Sequence, residues 1–490
     1  MAARTGAQFL AGLKHTKREL YVEGERVTDV TEHPRLAGGA RSIAAVFDRQ
    51  HEYGDECLIA DPETGEAVNI SHMMPRSIED LRRRNVGLSR ISELTAGMMG
   101  RTPDYMNMKF AAFAAHAHSW AGLGEFTDEG AANLVAFQKR LAREDISLTH
   151  TIIQPTINKA TDTAIIGNKV SLRKVADTAV GIVVRGARIL GTLSPYADEI
   201  AVYPALPIPV GAEAYALGFS IPLDTPGLKF LCRDSASVPT NGFDRPISSR
   251  FDEQDAFVIF DDVEISRDRL FLDGTQGSVE AYNAFGGPRF MANMTTQTTI
   301  RALNKLEFSY GLGTLMAEAI GDASPATNEM LGELLSYAEV TRNAILAATD
   351  HGWADENGVW FCDNRALNPM RSLLAVWFPR VNEILTLIGS HNLLATPSRA
   401  DLDNPTMRTL IDELLHGANG IDAERRAAIF RLAWDYIGSA LGGRNLLYER
   451  FYLTSASRNR KTAHALNQDR TRPYELVESI LASAYPRPQK

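Results

Sequence analysis

Cysteine is scarce: Cys57, Cys232 and Cys362 are the only three in 490 residues, each more than a hundred positions from the next. An odd, dispersed set excludes a disulfide framework and points to a reducing, cytoplasmic compartment. It also leaves no close pair for a cysteine-built zinc or iron–sulfur site. Long apolar runs are missing too, since no stretch approaches the ~18–20 residues that span a bilayer. The first twenty residues are basic but carry no apolar core or cleavage pattern, so they do not read as a secretory signal. Positive charge is in deficit, with 51 Lys and Arg against 60 Asp and Glu and a net charge of −9. That balance disfavours nucleic acid and anionic membranes as partners. No Gly-x-Gly-x-x-Gly follows a strand and opens a helix, which excludes a Rossmann-type nicotinamide or flavin site. Walker A, His-Glu-x-x-His and Gly-x-Ser-x-Gly motifs are likewise absent.

What is present is an ordinary globular composition, 44% apolar and 23% charged, in a chain long enough for two to four structural units. Three textures succeed one another, with boundaries placed at 1–147, 148–277 and 278–490. The first is helical. Ser77-Ile-Glu-Asp80 resembles a capping box opening a basic helix, and 106–121 reads as a buried helix. The second is a series of short β-branched runs, at 163–166, 181–184, 199–203, 215–221 and 257–260, which predicts an antiparallel β-barrel or sandwich. In the third, Leu303, Leu306, Tyr310, Gly313, Ala317 and Ile320 form a helical seam, and Met330, Leu334, Ala338, Thr341, Ile345 and Ala348 form another. Helices over 370–388, bent near Pro379, and 422–441, capped by Gly442-Gly443, complete a four-helix bundle.

Four constellations carry candidate chemistry. In Gly100-Arg-Thr-Pro-Asp-Tyr105, Pro103 starts a helix, and Arg101 and Tyr105 can converge on an anionic oxygen. The bland alternative is a surface arginine beside a capped helix. In Leu148-Thr-His-Thr151, His150 sits among hydroxyl groups, suited to proton exchange or to a structural hydrogen bond. Thr192 offers a hydroxyl at a strand end. Gly442-Gly-Arg-Asn445 reads as a phosphate cradle or as a helix C-cap with an incidental arginine. His116 and His118, two apart on a helix, face different ways and do not form a metal pair.

These segments, with Gly186-Ala-Arg-Ile-Leu-Gly-Thr-Leu-Ser-Pro-Tyr-Ala-Asp198 and Leu441-Gly-Gly-Arg-Asn-Leu-Leu-Tyr-Glu-Arg450, stand in the order found in one family. Over nearly its whole length the chain resembles the oxygenase component of the 4-hydroxyphenylacetate 3-monooxygenase family. The resemblance implies an α+β, acyl-CoA dehydrogenase-like fold: an N-terminal helical domain, a middle β-barrel and a C-terminal helical bundle, usually assembled as a homotetramer. It implies that FADH2 and O2 form a flavin C4a-hydroperoxide that ortho-hydroxylates a phenol, with reduced FAD supplied by a separate NAD(P)H-dependent reductase. Arg101, Tyr105 and His150 match the residues around the phenol oxygen. His150, Thr151, Ile152, Thr156, Ile157, Asn158, Lys159 and Thr192 match flavin-contacting segments. Gly442, Gly443, Arg444 and Asn445 match a second such turn, reaching a neighbouring subunit's cofactor.

Two departures stand out. Where many members carry a hydroxyl pair against the substrate, this chain has Ala205-Leu206, flanked by Pro207 and Pro209. That exchange predicts a substrate less polar or larger than 4-hydroxyphenylacetate. At Thr296 some members carry a histidine, so no role for one transfers. Two other readings stay open on sequence: an acyl-CoA dehydrogenase- or dehydratase-like enzyme, and a non-catalytic carrier of reduced flavin. The cysteine-free run Met98-Met-Gly-Arg-Thr-Pro-Asp104 weighs against an iron–sulfur dehydratase, and the convergence of Arg101, Tyr105 and His150 weighs against a carrier.

Overall fold

The computed structural model describes residues 3–15, 17–157, 169–205, 207–238, 241–467 and 470–485. Helices dominate both ends of the chain and sheet dominates the middle, as the change of periodicity predicts. Ser77 caps the helix Ile78–Glu93, its side chain accepting from the Asp80 N–H. The reciprocal bond of a full box is displaced by one residue, because the Asp80 carboxylate accepts from the N–H of Arg76 instead.

Among the described residues, the main strands form two open sheets and not a closed barrel. The six-stranded sheet runs Glu25–Arg26, Glu19–Val22, Leu228–Cys232, Asp255–Ser266, Gly181–Thr192, Arg173–Asp177. The four-stranded sheet runs Leu270–Asp273, Leu217–Pro222, Glu199–Val202, Leu148–His150. Their facing side chains, Phe230, Val258 and Phe260 from one and Ile200, Phe219 and Leu270 from the other, share one core. This is sandwich packing. The pairing is more mixed than a run of antiparallel hairpins, and one sheet recruits strands from the N-terminal region. The N-terminal strand Glu19–Val22 pairs in parallel with Leu228–Cys232, and the short strand Leu148–His150 pairs in parallel with Glu199–Val202. Neither parallel pair is visible as a hairpin in sequence. The predicted strand at 163–166 lies outside the described residues.

The predicted seams lie on Gly287–Ile320 and Pro325–Asp350, which pack against Asn364–Gly389 and Ala423–Ile437. Asn364–Gly389 holds both Pro369 and Pro379 within its length. The predicted 422–441 helix ends early, at Ile437. Gly438 and Ser439 interrupt it, and Ser439 caps a new helix, Ala440–Phe451, by accepting the Gly442 N–H. Gly442 and Gly443 therefore sit in that helix's first turns, not in a left-handed C-cap. The structural reason is the serine: its hydroxyl satisfies a first-turn amide that would otherwise have no partner.

Candidate active site

Arg101 leaves a tight turn. Gly97 adopts φ +67, and a Cβ on Gly100 would lie 2.1 Å from the Tyr448 hydroxyl, so the turn needs both glycines. Pro103 then opens the helix Pro103–His116. Tyr105 and Lys109 lie one turn apart on it, on the same face. His150 ends the strand Leu148–His150, in register with Ala201, and Tyr203 comes two residues after Ala201, directly past the end of that partner strand. Sheet pairing and helix spacing thus bring together residues from three separate segments.

The Arg101 guanidinium carbon stands 4.0 Å from the centroid of the Tyr105 ring, 5.2 Å from that of Tyr452 and 5.4 Å from that of Tyr448. One of its nitrogens, Nη1, is buried without a hydrogen-bond partner. The Tyr105 and His150 rings lie 5.7 Å apart, and His150 and Tyr203 5.6 Å. Lys109 Nζ donates to the Tyr203 hydroxyl at 2.9 Å and stands 4.0 Å from the Tyr105 ring centroid. The sequence therefore brings Arg101, Tyr105 and His150 to one place, as expected, and adds Lys109 and Tyr203.

Burial shapes the protonation of every member. It opposes the charge on Arg101, but Tyr105, Tyr448 and Glu253 outweigh it and raise the guanidinium pKa above its ordinary value. Burial pushes the Tyr105 phenol up to about 12, against the pull of Arg101. His150 is held well below the usual imidazole value by burial, then by Lys109 and Arg101. Burial, with Arg101 nearby, also holds Lys109 well below an ordinary lysine. The site thus holds one permanent cation, a protonated phenol donor and two bases, His150 and Lys109, whose protonation burial disfavours.

A carboxylate pair that sequence reasoning missed ties the other motifs to this site. Glu253 accepts the Arg101 backbone N–H at 2.6 Å through one oxygen and Arg444 Nη1 at 2.9 Å through the other. Asp255 accepts Arg444 Nε and Nη2, both at 3.0 Å, the Thr192 hydroxyl at 2.6 Å and Arg233 Nε at 2.9 Å. Burial works against the Asp255 charge, yet Arg444 and Arg233 hold its carboxyl well below the usual range. Nothing in Phe251-Asp-Glu-Gln-Asp255 separates this pair from an exposed acidic turn. Lys109 did leave a signal, as the one charged residue in the apolar run 106–115.

The phosphate cradle expected at Gly442–Asn445 is not formed within this chain. The Gly442 and Gly443 amides donate to the Ser439 side chain and carbonyl, and all three Arg444 nitrogens are engaged by carboxylates. The cause is again the helix start at Ser439. Asn445 Nδ2 is buried without a partner, while Gly443 is exposed with open space around its Cα. Thr151 is buried with its hydroxyl on the Ile189 carbonyl, and the Ile152 carbonyl accepts from Arg188. Thr156 and Ile157 are exposed, as is Ala205. Asn158, Lys159 and Leu206 lie outside the described residues. His116 accepts from Arg289 at 2.7 Å and His118 pairs with Glu356 at 2.8 Å, and no metal-binding cluster is present among the described residues.

Fold and site together define a mixed helix-and-sheet protein holding an aromatic-lined, permanently cationic centre. The family models described as 4-hydroxyphenylacetate 3-hydroxylase N terminal and C terminal match residues 5–272 and 282–482. The chain is 35% identical over 485 residues to the 4-hydroxyphenylacetate 3-monooxygenase oxygenase component of Thermus thermophilus, covering 98% of this chain and 97% of that protein. A crystal structure of such an oxygenase component, complexed with FAD and 4-hydroxyphenylacetate, matches with a TM-score of 0.91 at 34% identity, over 98% of this chain and 99% of that one. An archaeal 4-hydroxybutyryl-CoA dehydratase from N. maritimus shares the fold, with a TM-score of 0.86 at 17% identity over 100% of this chain and 96% of its own. The chain belongs to the 4-hydroxyphenylacetate 3-hydroxylase family, whose members include the oxygenase components of two-component monooxygenases.

Proposed function

We infer that this chain is an FADH2-utilising monooxygenase that ortho-hydroxylates a phenol to a catechol, with O2 as co-substrate and reduced FAD delivered by a separate reductase. The observation that carries the reading is Arg101: a guanidinium among three tyrosine rings with one nitrogen buried and unpartnered. A phenolate oxygen is the complement such a group lacks. Arg101, charged at every working pH, stabilises the phenolate. Tyr105, protonated to about 12, donates a hydrogen bond to the same oxygen. His150, neutral, donates its one ring N–H to the same oxygen. These roles raise electron density at the ring's ortho carbon, where an electrophile attacks.

The chain's residues fit a flavin beside this site. Where the chain leaves the His150 strand, Gln154 Oε1 and Arg188 Nε are buried without partners. Arg188 is joined to that segment through the Ile152 carbonyl. We assign Thr151 to Lys159, Thr192 and the open face at Gly443 and Asn445 to holding it. When bound, reduced FAD with O2 supplies the electrophilic oxygen. The buried aromatic side chains exclude water from the reacting centre.

The exposed Ala205, in place of a hydroxyl, favours a phenol whose tail is less polar or larger than that of 4-hydroxyphenylacetate. The helix Thr471–Ala484 exposes Tyr474, Val477, Ile480 and Leu481, which supports a homo-oligomer, read here as a tetramer. No helix among the described residues is long and apolar enough to cross a membrane, and the sparse cysteines favour the cytoplasm.

A product assay over a panel of phenols, with reduced FAD from any flavin reductase, tests the reading. Arg101→Ala should cut catechol formation by 10²-fold or more, while oxidation of reduced FAD to hydrogen peroxide continues. Catechol formation by Arg101→Ala at the native rate would overturn the assignment, and a clear preference for 4-hydroxyphenylacetate would overturn the substrate reading.

A further inference from the structure

Lys109 is buried at 1% exposure, and no carboxylate pairs with it among the described residues. Its neighbours come from every element packed around it: Arg101 from the preceding turn, Tyr105 on its own helix, His150 and Tyr203 from the sheet, and Phe290 from the helix Gly287–Ile320. Of these only Arg101 is charged, and it carries the same sign. The other buried lysine of the interior, Lys305, has Glu449 at 2.8 Å. Lys109 is thus a base kept beside the phenol site without a counter-ion.

We propose that Lys109 is the proton acceptor of the phenol site, taking up the hydroxyl proton of the substrate as the phenolate forms at Arg101. The proposal rests on the reading of Arg101, Tyr105 and His150 as the phenol site. In the step, the phenol O–H bond breaks and an N–H bond forms at Lys109 Nζ. No oxidation occurs, and the net charge of the site is unchanged. Arg101 and Lys109 stand equally close to the Tyr105 ring, 4.0 Å each. Two cations beside one ring repel each other, and a phenolate bound beside that ring removes the penalty. Protonation of Lys109 is therefore disfavoured in the resting site and becomes favourable when a phenolate is present. This couples substrate ionisation to substrate binding, and the site needs no bulk base.

4-Nitrophenol, whose anion absorbs in the visible, reports the step directly on the full-length protein without flavin turnover. The native protein should bind it as the anion at a pH where free nitrophenol is still largely neutral. In weak buffer with a pH indicator, no proton should be released. Lys109→Met should raise the apparent pKa of bound nitrophenol by about one unit or more and shift the acid limb of the hydroxylation pH profile upward. Lys109→Arg carries a permanent charge and cannot accept a proton, so it should bind the anion and release one proton per phenol. Circular dichroism checks the fold of both, and proton release from Lys109→Arg decides the matter if Lys109→Met does not fold. Binding of the anion by Lys109→Arg without proton release would overturn the proposal, as would an unshifted nitrophenol pKa in folded Lys109→Met. Nitrophenol binding that Arg101→Ala leaves intact would overturn the site reading instead.

Discussion

Glu449 offers the most direct test of how this site is held in place. Its carboxylate lies at 4% exposure on the helix Ala440–Phe451 and accepts Arg301 Nη1 and Nη2 at 2.7 and 2.8 Å and Lys305 Nζ at 2.8 Å. Although burial opposes its charge, Arg301 and Lys305 hold its pKa at about 2, against an ordinary 4.5. At ~1.4 kcal/mol per unit, that difference is worth about 3 kcal/mol. A second route gives the same order, since removing one partner of a buried ion pair costs roughly 3–5 kcal/mol. Glu449→Gln keeps the shape, removes the charge and leaves Arg301 buried with no counter-ion. The same helix carries Tyr448, so the change should also weaken phenol binding at Arg101. The assay is urea denaturation followed by circular dichroism, with the midpoint as the readout because a protein of several packed layers need not unfold in two states. A depressed carboxyl pKa contributes stability that is complete above the unfolded value and is lost as pH falls through the folded one. The midpoint should therefore drop markedly near neutrality, and the gap should close as pH falls from 4.5 towards 2. A midpoint unchanged at neutral pH, or a gap indifferent to acid, would refute the reasoning. Arg301→Met and Lys305→Met combined with Glu449→Leu should recover much of the loss, because no buried charge of the cluster is then left unpaired.

Other expectations follow from the same geometry. Gly100→Ala places a methyl 2.1 Å from the Tyr448 hydroxyl. It should displace that ring from Arg101 and lower phenol affinity at least tenfold with little change in flavin binding; unchanged affinity in a binding titration would count against the tyrosine cage. Burial raises the Asp104 carboxyl to about 6, with hydrogen bonds from Thr102 and Gln297 opposing. A raised folded pKa stabilises the fold below the ordinary 3.8 and loses that contribution as pH rises through 6. Asp104→Asn keeps an acceptor for Gln297 and should raise the thermal midpoint at about pH 8, by the equivalent of ~2–3 kcal/mol, and leave it unchanged at about pH 4. A lower midpoint at the alkaline pH would show that the carboxylate is stabilised there after all.

The legibility of this protein in its sequence varies with the range of the interaction concerned. Helix signals are local, so Ser77, Pro103 and the seams from Leu303 and Met330 read correctly from spacing alone. Strand positions are also local, but which strands pair is not. The parallel partners Glu19–Val22 with Leu228–Cys232 join segments about two hundred residues apart. An expected barrel therefore opened into two sheets. At the site, Arg101, Tyr105 and His150 were legible because each lies in a compact motif. Glu253 and Asp255 were not, since a buried carboxylate and an exposed one look alike until the partner arginine is placed. The Gly442-Gly443 pair misled for the opposite reason. A double glycine suggests a helix end, and Ser439 three residues earlier determined that it would be a helix start.

Glu253 and Asp255 bear on how this chain can change over generations. One acid touches the Arg101 backbone and Arg444, and the other touches Thr192 and Arg444, so a strand, the Arg101 turn and the helix Ala440–Phe451 share one pair of residues. A neutral substitution at Glu253, Asp255 or Arg444 leaves a charge of this cluster short of a partner. A change at one of the three is therefore expected to need a matching change at another, whereas the exposed Ala205 carries no such tie to this cluster.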